Sequence, residues 1–156
     1  MGRSRPPLGS VAARVLSAPE TNVVVFAFLL NFPWEFWQLP FFASTSTHLR
    51  PEEIASCTLA TLGDSVIALV AYWAVAGWAR SRAWVLRPTL ARLAAFVTVG
   101  VVITVVVERL ATGVFERWAY AESMPVVPIL RVGLLPLLQW VVVPPTVVWF
   151  VRRQLT

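Results

Sequence analysis

Asn31-Phe32-Pro33-Trp34-Glu35-Phe36-Trp37-Gln38 interrupts an apolar segment, residues 22–42, that otherwise has the length of a membrane-spanning helix. Asn31, Glu35 and Gln38 stand at i, i+4 and i+7, so a helix places all three on one face. In hydrocarbon a carboxylate is expensive unless it is paired, protonated or turned toward a cavity. The stretch therefore predicts a buried polar face, and the rest of the chain has to supply the surface that receives it.

Composition sets the surroundings. The 156 residues are enough for one domain, and 58% of them are hydrophobic, above the roughly 45–50% of soluble domains. Val97–Val107 and Leu134–Val151 hold too few charges for a soluble amphipathic helix. The expectation is an all-α integral membrane protein, a bundle of four transmembrane helices in the cell membrane with lipids as its surroundings.

A sequence pI near 11.0 suggests nucleic-acid binding at first sight. The basic residues argue otherwise, because most flank apolar segments instead of gathering on one soluble face. All 13 are arginine, which leaves no lysine for a Schiff base or a phosphate loop. Cys57 and His48 are the single cysteine and histidine. One chain therefore assembles no intrachain disulfide, no Cys/His zinc site and no bis-histidine haem; the sequence leaves any other cofactor open.

In chain order, residues 1–20 carry Arg3, Arg5 and Arg14 among prolines, glycines and serines and read as a cytoplasmic tail. Spans are expected over about 22–42, 54–79, 93–115 and 126–151. Pro33 should kink the first and Pro40 end it. Pro51-Glu52-Glu53 fits a helix start, with proline at the first position and acids in the first turn. Nine arginines fall in the tail, the second-to-third connection and the C-terminus, which puts both termini in the cytoplasm.

This topology brings separate polar residues to one depth. At 1.5 Å per residue, Glu35, Asp64 and Glu108 all fall in the outer half of the bilayer. Gln139 lies near the middle, between the helix breakers Pro136 and Pro144-Pro145, with Arg131 two turns above it. Arg117 and Tyr120, with Glu116 and Glu122, would roof the cluster. Arg109 and Arg131 are the cations expected to pair with two of the three acids. The third would then keep its proton, as a general acid requires. A divalent cation held by two carboxylates, Asn31 and Gln38 is the less favoured arrangement, and helix-to-helix adhesion is the structural one.

The pieces Asn31-x-x-Trp34-Glu35-x-x-Gln38, Gly63-Asp64, Glu108, Arg117-Trp118-x-Tyr120, Met124-Pro125 and Pro136-x-x-Gln139 run across residues 22–153. Through them the chain resembles a group of small uncharacterised bacterial four-helix integral membrane proteins. That resemblance implies a fold and no activity. In general plan the chain is also similar to membrane isomerases and cyclases that protonate isoprenoid or sterol double bonds, without their histidine- or aspartate-containing signatures.

The functional expectation is an enzyme acting on a lipid or isoprenoid ligand. Glu35 or Glu108 serves as acid/base, Arg109 tunes it, and Asp64 stabilises positive charge. Asn31, Trp34, Trp37, Gln38, Arg117, Tyr120, Arg131 and Gln139 are placed around the substrate. Trp34 and Trp37 would line its apolar part, and belt or packing roles compete for both. A proton-coupled carrier or lipid-binding subunit, assembled as a homo-oligomer, and a purely structural subunit are the alternatives.

Overall fold

The computed structural model describes residues 8–43 and 50–156, the first four by backbone alone. Its elements are α1 (Leu8–Leu16), α2 (Pro19–Gln38), α3 (Pro51–Ala79), α4 (Leu90–Gly113), a two-stranded hairpin of β1 (Val126–Val127) and β2 (Val132–Gly133), and α5 (Leu134–Leu155). Short 3-10 turns at Leu39–Phe41 and Arg82–Leu86 close α2 and open the way to α4. His48, Arg3 and Arg5 lie outside the described residues.

Local chemistry explains most boundaries. Pro19 and Pro51 occupy first helical positions, where a missing N–H is harmless. Glu53 accepts a hydrogen bond from the Arg50 N–H at 3.0 Å, and Thr89 Oγ1 accepts from the Arg92 N–H at 3.3 Å. The acids after Pro51 thus begin a helix, as their position suggested. Arg80 ends α3 in the left-handed region, φ 49°. Pro40 sits in the 3-10 turn that ends α2, while Pro33 lies inside that helix.

Helix α2 packs on α3 and α5, and α4 completes the circuit by packing on the same two. Neighbours are antiparallel, so α2 and α4 begin where α3 and α5 end. This arginine-rich end carries Arg80, Arg82, Arg87, Arg92, Arg152 and Arg153. Among the described residues three helices, α3, α4 and α5, are long and apolar enough to cross a membrane. Helix α2 is less apolar because Glu20, Asn22, Asn31, Glu35 and Gln38 share its 20 residues.

The apolar core lies toward the arginine-rich end. Val23 and Ala27 of α2, Ala68, Ala71, Tyr72 and Val75 of α3, Phe96 of α4, and Val143 to Val151 of α5 meet there. The 3-10 turn at Arg82–Leu86 pushes Trp84 and Val85 into this core, both buried. Trp84 contacts Phe96 edge-on at 5.5 Å and donates its indole N–H to the Tyr72 carbonyl at 3.3 Å. Nothing in a run of arginines signals such a plug. Gly100 lets α4 approach α5: a Cβ there would stand 1.9 Å from a ring carbon of Trp140. Trp140 is a core side chain.

Two expected boundaries move. The tail contains a helix, α1, whose junction with α2 is clamped by Asn22 Nδ2, which donates to the Leu16 and Ala18 carbonyls at 2.7 and 2.9 Å. The expected fourth span, 126–151, becomes a hairpin followed by a helix that starts at Leu134 and runs to Leu155. Pro125 and Pro128 disfavour helix for the residues before them, and Arg131 turns the hairpin at φ 52°. Pro136 therefore falls in the first turn of α5, where it breaks nothing.

Candidate functional site

At the end opposite the arginine-rich one, the buried face of α2 is polar. Asn31 and Gln38 are each 3% exposed, and Glu35 stands between them. Asp64 comes from α3 and Gln139, 2% exposed, from α5. The Gln139 amide nitrogen donates to Asn31 Oδ1 at 2.9 Å, Asp64 Oδ2 at 2.8 Å and Glu35 Oε1 at 3.1 Å. Gln38 Nε2 also donates to Glu35 Oε1, at 2.8 Å. Three helices thus converge on one amide. A primary amide has two hydrogens, so Gln139 cannot satisfy three acceptors at once.

The carboxyl groups of Glu35 and Asp64 stand within hydrogen-bonding reach of each other. Two ionised carboxylates repel at such range, and a hydrogen bond between them requires a proton on one. Both carboxyl groups draw on the same Gln139 amide nitrogen, with the Gln38 amide as a further donor to Glu35.

Glu108 occupies a neighbouring station on α4. It is buried and accepts hydrogen bonds from the Tyr120 hydroxyl and, at 3.4 Å, from the Trp118 indole N–H. Tyr120 is held by backbone pairing between the segments after α2 and after α4. Ala43 N–H donates to Ala119 O at 2.8 Å and Ala121 N–H to Phe41 O at 3.0 Å. The rings of Phe42 and Tyr120 lie 5.7 Å apart. Glu108 is close enough to interact electrostatically with both Glu35 and Asp64.

The expected arginine partners are elsewhere. Arg109 is exposed and donates to the Leu130 carbonyl at 3.3 Å, and Arg131 is exposed at the hairpin turn. Both follow from geometry: Arg109 is about 100° around α4 from the buried Glu108, and Arg131 is not on α5 at all. Arg117, Glu116 and Glu122 lie toward solvent as well. Of the expected roof Tyr120 reaches Glu108, and Trp118, not among the expected residues, joins it. Among the described residues the ion pairs are Arg82–Glu20 and Arg50–Glu53, and neither reaches this cluster. No three His, Cys, Asp or Glu side chains among those residues gather as a metal group.

Three buried polar atoms in this region lack a partner: Trp34 Nε1, Gln38 Oε1 and Thr104 Oγ1. Thr104 lies one turn from Glu108 on the buried stripe Phe96, Gly100, Thr104, Glu108 of α4. Sequence reasoning missed it, although its spacing from Glu108 was visible. Trp37 is 57% exposed and meets Trp34 edge-on at 5.4 Å. Toward the apolar core, Asn31 and Gln139 border a small recess with Ala68, Phe96 and Trp140 on its walls. Comparison of the chain with protein-family models, curated proteins and solved structures gives no match.

Proposed function

We propose that this chain is a four-span membrane protein, both termini cytoplasmic, that moves a proton onto and off a lipid or isoprenoid substrate. The Glu35–Asp64 pair is the acid. In this scheme it delivers its shared proton to a carbon–carbon double bond. The carboxylate left behind, with the Trp34 ring, steadies the cationic carbon that forms. Glu108, tuned by Tyr120 and Trp118, is placed to accept the proton lost from the neighbouring carbon, so that the reaction is an isomerisation with no net oxidation. Helix α2 completes the four spans despite its polar face because that face is turned inward, and the arginines at one end set the orientation.

The observation that carries this reading is the pair of carboxyl groups resting on one amide, with no arginine beside them among the described residues. A carboxylate that served only to join helices would do so more securely with a cation or with fully paired amides. The deciding experiment compares lipid and small-molecule profiles, by mass spectrometry, of cells making the intact protein and cells making Glu35→Gln. A product present only with the intact protein supports catalysis. Identical profiles, with proton-dependent flux in liposomes, would replace it with the carrier reading. That second reading is favoured by the recess beside Gln139, which has room for about one water and none for a lipid chain without movement.

A further inference from the structure

The outward face of α5 changes character along its length. Leu138, Val141, Val142 and Trp149 are all exposed, and helical spacing sets them on one stripe with Pro145 between. At 1.5 Å per residue the stripe runs roughly 16 Å from Leu138 to Trp149, about the depth of one leaflet of a ~30 Å hydrocarbon core. Arg152 and Arg153 follow directly, both exposed, in the last turn of the helix. Trp149, Arg152, Arg153 and Thr156 together line one open-sided cleft of about 430 Å³. The Arg153 guanidinium lies 5.9 Å from the centre of the Trp149 ring, which steadies the cation at the rim.

Charge selects what the cleft takes. Among the described residues the ion pairs are Arg82–Glu20 and Arg50–Glu53, so neither arginine of the cleft has a carboxylate partner there. Glu20 is the one acid described at this end of the bundle, and Arg82 holds it at 2.6 Å. Arg14, Arg80, Arg87 and Arg92 add only positive charge. Even a carboxylate at Thr156 and the partial negative charge of the helix end leave the two guanidiniums in excess. A symmetric second copy is a poor occupant: copies inserted the same way round meet about an axis along the membrane normal, which would set Arg152 and Arg153 against their own counterparts. The cleft calls for an anion, and the stripe beneath it calls for hydrocarbon.

We propose that this stripe and cleft bind an anionic phospholipid of the leaflet at the arginine-rich end. Its phosphate accepts hydrogen bonds from Arg152 and Arg153, its glycerol and ester region lies beside the Trp149 ring, and an acyl chain follows Pro145, Val142, Val141 and Leu138. Thr146 does not interrupt that path, because its hydroxyl donates back to the Val142 carbonyl at 2.9 Å. The other face of α5 is core, with Val143, Val147, Val148 and Val151 packed inward. A lipid seated outside therefore braces the helix against the bundle and stabilises the folded state. The site lies at the opposite end of the molecule from the Glu35–Asp64 pair and does not depend on its chemistry.

The test uses the full chain in mild detergent, with native mass spectrometry comparing retention of phosphatidylglycerol and of phosphatidylcholine with the same acyl chains. Phosphatidylglycerol should bind saturably, about tenfold or more tighter than phosphatidylcholine, and should raise the unfolding midpoint. Arg152→Gln combined with Arg153→Gln should weaken it by about 10–30-fold, the effect of two arginines at a lipid surface. Arg80→Gln combined with Arg87→Gln removes the same charge from the same end and should cost less than about threefold. Trp149→Leu should weaken binding with both arginines in place. Equal losses in the two double variants would mean a diffuse positive surface and would overturn the site. Equal retention of the two lipids by the unaltered protein would overturn it as well, and that comparison decides even where a variant fails to fold. Inorganic phosphate at the concentration of the lipid should displace nothing; displacement would make the ligand a free anion and overturn the lipid.

Discussion

Glu20 and Glu35 belong to the same helix, roughly 22 Å apart along its axis, and they keep different company. Glu20 meets Arg82 Nε at 2.6 Å and receives the Tyr72 hydroxyl at 3.3 Å. It stands beside the apolar core, and Arg82 also lies 5.2 Å from the Trp73 ring. Glu35 meets amides and a second carboxyl. A chain that has an arginine for Glu20, at the easily solvated end of the helix, has none for the more deeply buried acid. Stability alone would favour the reverse, because an unpaired buried acid is the more costly of the two. The contrast separates an acid that fastens the fold from one whose proton is available.

The largest effect expected from this contrast is in activity. Glu35→Gln keeps the size of the side chain and an oxygen that accepts from Gln38, but ends proton sharing with Asp64. Turnover should fall by about 10²–10⁴-fold, the usual range for a lost general acid, while the unfolding midpoint stays near that of the unaltered protein. Glu20→Gln should leave turnover intact. Equal losses in both variants would erase the distinction.

Next in size is a break in the packed end. Gly100→Ala places a methyl group 1.9 Å from the Trp140 ring, and the ring or the helix has to move. A destabilisation of about 1–3 kcal/mol, typical of overpacking, is expected in a detergent unfolding titration. Gly63→Ala, exposed at the polar end of α3 with open space at its Cβ position, should cost nothing measurable and even gain from helix propensity. The pair of glycines thus compares the two ends by the same added methyl.

Glu20, in the first turn of α2 and outside the apolar stretch 22–42, gives a smaller, pH-dependent signal. Burial by itself would raise its pKa, but the hydrogen bond and charge of Arg82 outweigh that and hold the carboxyl below its ordinary value. A depressed folded-state pKa stabilises above the unfolded value, near about 4.3, and the stabilisation is lost as pH falls through the folded value. With Arg82 largely exposed, solvent screening limits the gain to about 1 kcal/mol or less. The difference in unfolding midpoint between the intact protein and Glu20→Gln should be full at about pH 7 and should vanish as the pH is taken below about 4. A difference that persisted in acid would mean that Glu20 contributes by packing alone.

Much of this is legible in the residues. Helical periodicity places Asn31, Glu35 and Gln38 together, and alternating helix direction brings Asp64 and Gln139 to them. The apolar runs mark α3, α4 and α5. Less legible is anything that depends on angle around a helix. Glu108 and Arg109 are neighbours in sequence, yet one is buried and the other exposed, and depth arithmetic alone does not see that. Arg131 is misplaced by the same arithmetic because Val126-Val127-Pro128 is apolar enough to extend a span, while two prolines and a left-handed residue make it a hairpin. The plug at Trp84 is hidden by the arginines around it.

The smallest expected effect has the opposite sign from the rest. Thr104 shares the buried stripe of α4 with Gly100, one turn away, and its hydroxyl has no partner. Valine has nearly the same shape and no polar atom, so Thr104→Val removes an unsatisfied group without opening a cavity. Stability should rise by roughly 0.5–1 kcal/mol. Threonine tolerates the helix about as well as valine does, so propensity does not mask the result. A rise would mean that the chain retains a destabilising hydroxyl beside its acids, which is expected of a site that meets something from outside. A fall of similar size would mean that the hydroxyl is satisfied within the folded protein, and the polar end of the molecule would then resemble the packed end more closely than its unpaired atoms indicate.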